Sequence, residues 1–225
     1  MRTSTPLPRI CIALGLSDPE ALLAHARAEA DAGEQFFEFR LDYLPRPEQG
    51  IGAIRDFLKE RSEASLLATC RRRQNQGRFN GSIEEQIRLL EAAAEAGARA
   101  VDVEIESAES ATSRLDAFRG RTMLVLSYHN FEGTPAMETV LRRMMRIPAD
   151  AYKLATTARK PSDNQRVLAL AKAHARDGVV VLAMGEMGFP TRVLSPAFGG
   201  LFTYAAPHST EGTACGQIGA KALRG

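Results

Sequence analysis

Short apolar, β-favouring runs alternate with helical segments eight times along the 225 residues, and this alternation constrains the fold more than any other feature. The predicted strands cover residues 9–16, 36–44, 65–71, 100–105, 122–129, 151–156, 179–184 and 201–206. The predicted helical segments cover residues 19–32, 49–61, 82–96, 107–118, 135–145, 161–175, 193–198 and 216–223. Such alternation predicts a parallel sheet, because each crossover between parallel strands consumes a helix.

Eight such units in a chain of this length favour a (β/α)8 TIM barrel that forms a single domain over residues 1–225. A doubly wound open sheet is the alternative. Its nucleotide-binding version is weakened, because no G-x-G-x-x-G pattern follows the first predicted strand.

Composition excludes several classes of protein. The net charge is +2, which is too small to indicate binding to nucleic acid or to a membrane surface. Cys11, Cys70 and Cys215 are widely spaced and form no C-x-x-C pattern, which indicates a reducing compartment and neither a disulfide framework nor a zinc site. Residues 1–9 do not resemble a signal peptide, and no apolar run has membrane-spanning length. We therefore expect a cytoplasmic protein.

Two proton-handling side chains lie on neighbouring predicted strands. Lys153 is set within the apolar run AYKLAT, and His129 closes the run TMLVLSYH. Burial disfavours the charged form of an amine, which makes it available as a nucleophile, and an adjacent imidazole can shuttle protons. By themselves, such residues are more often a snorkelling lysine and a hydrogen-bonded structural histidine.

Further polar residues are expected at the same end of the barrel, where strands end and active sites of this fold lie. With Lys153 and His129, these residues are Arg40, Arg71, Arg192 and Gln217. Three guanidinium groups beside a lysine and a histidine indicate a pocket for a small, polyoxygenated anion, and no motif suggests a metal. Two simpler interpretations stay open: Glu38, Arg40 and Asp42 as an ion-pair ladder, and Arg71–Arg73 as a solvated loop.

Eight motifs, in the same order and spacing, carry a resemblance to a known family. They are FEFRLD (37–42), TCR (69–71), VDVE (101–104), SYHNFEGTP (127–135), YKLAT (152–156), MGEMGFPTR (184–192), SPAFGGLFTYA (195–205) and TACGQ (213–217). Over nearly its whole length the chain resembles the type I 3-dehydroquinate dehydratases of the shikimate pathway.

The resemblance implies a (β/α)8 barrel that is usually a homodimer, needs no cofactor and acts on 3-dehydroquinate. Lys153 would form a Schiff base with the substrate ketone, and His129 would move the protons of the elimination. The substrate-binding positions of the family match Glu38, Arg40, Arg71, Arg192, Thr213 and Gln217, with Arg192 as the carboxylate clamp.

Two departures from the family pattern keep other interpretations open. Asn75 stands where the family usually has a glutamate that orients the histidine, so we expect a shifted pH optimum or reduced turnover. Thr213 and Cys215 replace the usual serine and proline of the closing loop, and Cys215 makes this loop less rigid. One alternative is a catalytically weakened barrel that binds a shikimate-type ligand. Another is a different Schiff-base enzyme, such as a class I aldolase, which would share Lys153.

Overall fold

The computed structural model describes residues 6–208 and 217–224, in which eight parallel strands form one nearly closed barrel. The strands are β1 Ile10–Leu14, β2 Phe36–Arg40, β3 Ser65–Thr69, β4 Ala100–Glu104, β5 Met123–His129, β6 Ala151–Thr157, β7 Val179–Met184 and β8 Thr203–Ala205. They are hydrogen-bonded in the order β7-β6-β5-β4-β3-β2-β1-β8. The predicted (β/α)8 architecture is confirmed.

The barrel closes between β7 and β8. The backbone N–H of Leu201 donates to the carbonyl of Val179 across this gap, with 2.8 Å between nitrogen and oxygen. The guanidinium of Arg9, just before β1, donates to the carbonyls of Gly200 at 2.9 Å and Pro196 at 3.1 Å. The short strand β8 is therefore held at its amino end by side-chain as well as backbone hydrogen bonds.

Helices follow the strands. They are α1 Pro19–Asp31, α2 Gln49–Glu60, α3 Ile83–Glu95, α4 Ile105–Ser110, α5 Met137–Met144, α6 Pro161–Ala173, α7 Phe189–Leu194 and α8 Ala220–Arg224. Local sequence signals explain where two of them begin. The Asp18 carboxylate caps α1 with Pro19 in the first turn, and Ser82 and Glu85 form a capping box at α3.

Several predicted boundaries were wrong, and the helical segment expected over residues 193–198 begins earlier, as α7 at Phe189. The helix expected over residues 107–118 is the short helix α4 followed by a 3-10 helix at Thr112–Phe118, and the last helix begins at Ala220. The strand expected over residues 36–44 ends at Arg40 and turns into a 3-10 helix at Leu41–Tyr43. That turn is stabilised by Asp42, whose carboxylate accepts hydrogen bonds from the Arg40 guanidinium and the Arg78 backbone.

Side chains along β2 point alternately inward and outward, so the strand separates the core inside the barrel from the core between the barrel and the helices. Phe37 and Phe39 point outward and pack on Phe57 of α2, with ring centroids 5.1 and 5.6 Å apart. Phe36 points into the barrel, where it packs edge-on against Phe202 at 5.0 Å. Successive side chains of a strand point to opposite faces. Glu38 and Arg40 therefore point to the same side as Phe36, into the barrel interior and above its apolar residues.

Candidate active site

Lys153 lies inside the barrel on β6, opposite Ser127 of β5 and Val180 of β7. Its Nζ is 2.9 Å from an Asp102 oxygen and 3.7 Å from a Glu38 oxygen. The same atom lies 4.4 Å from the centre of the Tyr204 ring. Only 6% of the lysine side chain is exposed, so its amine lies among two carboxylates and an aromatic face instead of in water.

His129 ends β5 on the next strand, with its ring stacked on Phe131 at a centroid distance of 6.1 Å. Burial and the positive charges of Arg71 and Lys153 lower the pKa of His129 well below its usual value, so the imidazole is neutral. A guanidinium nitrogen of Arg71 contacts Nε2 of His129. Since guanidinium groups only donate, Nε2 is the accepting nitrogen and the ring proton lies on Nδ1.

Asp102 of β4 connects these groups, and the sequence reasoning did not single it out. Its carboxylate accepts hydrogen bonds from Lys153 at 2.9 Å, Ser127 at 2.5 Å and Arg71 at 3.2 Å. Burial opposes ionisation, but the charges of Lys153 and Arg71 outweigh it and hold the pKa of Asp102 well below its usual range. The signal available in the sequence was an aspartate inside the otherwise apolar strand AVDVE.

Glu38 and Arg40 point from β2 into the cleft, where they line the pocket expected for a small anion. Glu38 accepts a hydrogen bond from the Thr69 hydroxyl at 2.7 Å. The Arg40 guanidinium makes two 2.8 Å hydrogen bonds to Asp42, which is also the ion pair expected from the sequence. Tyr43 lies under this guanidinium, 4.8 Å from ring centre to carbon.

Arg71 is buried, and the interpretation of residues 71–73 as a wholly solvated loop was wrong for this residue. Its guanidinium contacts Asp102 and His129, whereas Arg73 is exposed. Asn75 lies at the rim of the cleft, and its amide donates to Glu106 at 3.2 Å. His129 thus contacts Arg71 and Phe131, whereas the Asn75 amide is hydrogen-bonded to Glu106.

The cleft contains every predicted site residue that the structure describes. These are Glu38, Arg40, Arg71, His129, Lys153, Arg192 and Gln217. Arg192 comes from α7, where only 1% of the residue is exposed. Thr213 and Cys215 lie outside the described residues. The rest of the cleft is mainly apolar, and these side chains are Phe131, Ala155, Leu182, Met184 and Tyr204.

Within residues 6–208 and 217–224, no cluster of three or more histidine, cysteine or acidic side chains could bind a metal ion. Among the helices of this part of the chain, none is long and apolar enough to cross a membrane.

Fold and site together define a class of protein. The carboxyl end of a (β/α)8 barrel brings a buried lysine, a neutral imidazole and three arginines into one cleft, an arrangement suited to acid–base chemistry on a small anion. The protein is therefore placed in the class of TIM-barrel enzymes.

Comparison with known proteins identifies the family. The family profile described as type I 3-dehydroquinase matches residues 10–225. A 3-dehydroquinate dehydratase of Dehalococcoides mccartyi is 36% identical over 214 residues, which cover 94% of this chain and 90% of that protein. The corresponding enzyme of Desulfotalea psychrophila is 37% identical, with 96% of each chain covered. The chain belongs to the type I 3-dehydroquinase family and is a hydro-lyase.

A solved structure agrees with this assignment. The crystal structure of 3-dehydroquinate dehydratase from Geobacillus kaustophilus HTA426 superposes with a TM-score of 0.87 at 27% sequence identity. The match covers 96% of this chain and 88% of that one. The family resemblance of the motifs is thus confirmed over the whole barrel.

Proposed function

We propose that this protein dehydrates 3-dehydroquinate to 3-dehydroshikimate, in the shikimate pathway of aromatic amino acid biosynthesis, through a Schiff base on Lys153. The observation that carries the proposal is the position of the Lys153 amine within the arginine-lined cleft of a type I 3-dehydroquinase, beside the neutral imidazole of His129. No cofactor is needed for this chemistry, because the lysine itself supplies the electron sink.

The steps balance without an external oxidant or reductant. The Lys153 ammonium gives up one proton and the resulting amine adds to the C3 ketone. The same proton is taken up again as the carbinolamine loses water, which gives a protonated imine. His129 then takes the C2 proton, which leaves an enamine, and passes it to the C1 hydroxyl as that group departs as water. Hydrolysis of the imine consumes one water and restores Lys153, so the net change is the loss of one water.

His129 is suited to the role of base. Its neutral form is favoured by burial and by the neighbouring cations, and Nε2 carries the lone pair. Because Arg71 contacts this nitrogen, the substrate must replace Arg71 at Nε2 before the proton can be taken. The buried Arg71 guanidinium then faces the oxygen atoms of the substrate.

The remaining candidate residues are assigned to substrate binding. Their charges suit a hydroxylated carboxylate: guanidinium groups form two parallel hydrogen bonds with a carboxylate, and carboxylate or amide side chains bind hydroxyl groups. These residues are Glu38, Arg40, Arg71, Arg192, Thr213 and Gln217. Arg192 is proposed as the clamp for the substrate carboxylate, because it is almost fully buried at the cleft. Leu182 and Met184 would pack against the ring of the substrate.

The proposal is tested by mixing the protein with 3-dehydroquinate and borohydride, followed by intact-mass spectrometry and peptide mapping. We expect one reduced adduct on Lys153. Lys153→Met should form none and lose all measurable turnover, whereas the exposed control Lys172→Met should behave as the wild type. Folded wild-type protein that binds the ligand but gives no adduct would contradict the mechanism and support the binding-only barrel. An adduct formed with an aldol substrate in place of 3-dehydroquinate would support the aldolase interpretation.

Asn75 offers a test of how the histidine is tuned. In Asn75→Glu, a carboxylate near His129 should raise the pKa of the imidazole, because opposite charges favour the protonated form. The acid limb of the pH dependence of kcat/KM should therefore move to higher pH, and turnover should change with it. An unchanged pH dependence would show that position 75 does not influence His129.

We also propose that the enzyme is a homodimer and is cytoplasmic. Five large apolar side chains are exposed on one stretch after β7, which supports association. They are Met187, Phe189, Val193, Leu194 and Phe198. Light scattering coupled to size-exclusion chromatography should give a dimer for the wild type and a monomer for Leu194→Asp/Phe198→Asp. A wild-type monomer at micromolar concentration would contradict the dimer.

A further inference from the structure

We propose that Asp102 is the counter-ion that holds the Lys153 nitrogen in place both as the ammonium and as the protonated imine. This inference rests on the proposed Schiff-base function. Asp102 is 1% exposed and lies on β4, two strands away from Lys153 on β6. It reaches Nζ at 2.9 Å across the barrel interior, past β5.

Strands β5 and β6 and the loop after β3 supply the donors that orient this carboxylate. Oδ1 accepts from the Ser127 hydroxyl at 2.5 Å, and Oδ2 accepts from Lys153 at 2.9 Å. Arg71, just after β3, donates to both oxygens at 3.2 Å. A carboxylate has about four acceptor positions, and these bonds occupy all of them. Asp102 is therefore fixed in one orientation before any substrate arrives.

The hydrogen bond to Lys153 survives the chemistry of the proposed reaction. When the amine becomes a protonated imine, the nitrogen loses two of its three ammonium hydrogens but keeps one N–H and the positive charge. That remaining N–H can still be donated to Asp102, so the same ion pair exists in both states. Because the Asp102 charge is already in position, it can stabilise the imine cation without any rearrangement of the surrounding groups.

Asp102 is not suited to be the base. Its oxygens are occupied by Lys153, Arg71 and Ser127, and these donors favour the ionised carboxylate, which therefore has little tendency to accept a proton. We assign it a positioning role that acts through the lysine nitrogen, while His129 moves the protons.

The other neighbours of Nζ do not substitute for Asp102. Glu38 is 3.7 Å away, beyond hydrogen-bond distance, and its nearer oxygen already accepts from Thr69 at 2.7 Å. Tyr204 offers only its ring face, 4.4 Å from Nζ. Asp102 is thus the group that both bonds the nitrogen and is itself held rigidly.

The test compares two isosteric variants of buried carboxylates on the same strand. Asp102→Asn removes the charge at Lys153, whereas Glu104→Gln removes a charge whose hydrogen bonds go to Gln86 and to the Arg72 backbone and whose ion pair with Arg71 is longer, at 3.7 Å. For Asp102→Asn we expect kcat to fall about 100-fold with KM changed less than about fivefold. Trapping of the adduct by borohydride should slow by a similar factor. Glu104→Gln should lose less than about fivefold in kcat.

Three results would overturn the inference. The first is kcat within about fivefold of wild type in folded Asp102→Asn. The second is an equal loss in Glu104→Gln, which would indicate a general effect of charge removal on β4. The third is a rise in KM with normal trapping at saturating 3-dehydroquinate, which would assign Asp102 to substrate binding instead of positioning.

A second measurement does not depend on whether Asp102→Asn folds. The crystal structure of the wild-type borohydride-reduced adduct should keep the Asp102 carboxylate within hydrogen-bond distance of the modified nitrogen. An adduct with this contact broken would overturn the role of Asp102 while the Schiff-base function stands. Failure of the wild type to form an adduct would instead contradict the proposed function itself.

Discussion

The inner wall of the barrel differs sharply between two sectors. Strands β2 to β6 carry charged and proton-handling groups beside the apolar residues of the barrel floor, and these groups are Glu38, Arg40, Asp102, His129 and Lys153. On β7 and β1, and on and just before β8, the wall carries Leu182, Met184, Phe202, Tyr204, Cys11 and Ala13. Both sectors are buried, and both face the same interior.

The two sectors are stabilised in different ways. Burying a charge is unfavourable unless an opposite charge and hydrogen bonds accompany it, so the charged sector is stable only as a set of pairs. Asp102 with Lys153 and Arg71, and Asp42 with Arg40, are such pairs. The apolar sector is stabilised by the area it removes from water, residue by residue. Substitutions should therefore act cooperatively in the first sector and locally in the second.

Removing one member of a buried pair should have the largest effect. Asp42→Ala leaves the Arg40 guanidinium buried without its two 2.8 Å hydrogen bonds and should lower the free energy of unfolding by about 3 kcal/mol. Urea denaturation measures this change.

An exposed pair of the same geometry provides the control. Arg27 also makes two hydrogen bonds to a single carboxylate, that of Glu60, but on the surface. Glu60→Ala should leave the free energy of unfolding nearly unchanged, because water replaces the lost contacts. Equal destabilisation by Asp42→Ala and Glu60→Ala would contradict the importance of burial.

Truncation in the apolar sector should have a smaller and more local effect. Leu182→Ala removes a buried side chain at the edge of the cleft and should lower the free energy of unfolding by about 2 kcal/mol, since water can enter the space. Because Leu182 carries no proton and no charge, kcat should stay within about fivefold of wild type. A loss of kcat comparable to that of Lys153→Met would show that the apolar sector takes part in the chemistry.

Protonation of His129 should make the charged sector sensitive to acid. The pKa of His129 in the folded protein is lowered well below 6.5, so the unfolded chain binds a proton first as the pH falls below that value. Stability from the neutral imidazole is therefore present above about pH 6.5 and lost progressively below it. The free energy of unfolding should fall as the pH is lowered from about 7 to about 5. In His129→Gln this fall should be about 1 kcal/mol smaller than in the wild type.

His174 at the end of α6 should show the opposite sign. Burial disfavours its charged form, but hydrogen bonds to Asp177 and Glu138 outweigh burial and raise the pKa of His174 above 6.5. Its contribution is therefore present below about pH 6.5 and lost as the pH rises through the raised value. His174→Gln should destabilise the protein more at about pH 5 than at about pH 8. If His129→Gln and His174→Gln changed the pH dependence of stability in the same direction, the opposite pKa shifts of the two histidines would be contradicted.

The smallest effect is expected at Tyr204, the polar member of the apolar sector. Its hydroxyl is buried and has no hydrogen-bond partner among residues 6–208 and 217–224, so Tyr204→Phe removes a group that these residues leave unsatisfied and keeps the ring under Lys153. The free energy of unfolding should stay the same or rise by up to about 1 kcal/mol, and kcat should be retained. Thermal denaturation and steady-state kinetics measure both. A destabilised Tyr204→Phe would show that the hydroxyl has a partner, such as an ordered water.

Much of this molecule could be predicted from local sequence. The alternation of strands and helices follows from periodicity, and the starts of α1 and α3 follow from Asp18 and Ser82. Lys153 and His129 could be selected because charged groups in or at the end of an apolar strand are costly unless they are used or paired. Motif resemblance supplied the function expected of these residues.

Only the tertiary structure decided which charges pair. Asp102 and Lys153 are 51 residues apart, Arg71 and His129 are 58 apart, and no local pattern specifies either contact. The closure of the barrel brings these strands together, and low polarity in its interior makes each pairing necessary. The sequence by itself therefore determined the architecture and the candidate residues, whereas the protonation state of His129 and the partners of Lys153 depend on long-range packing.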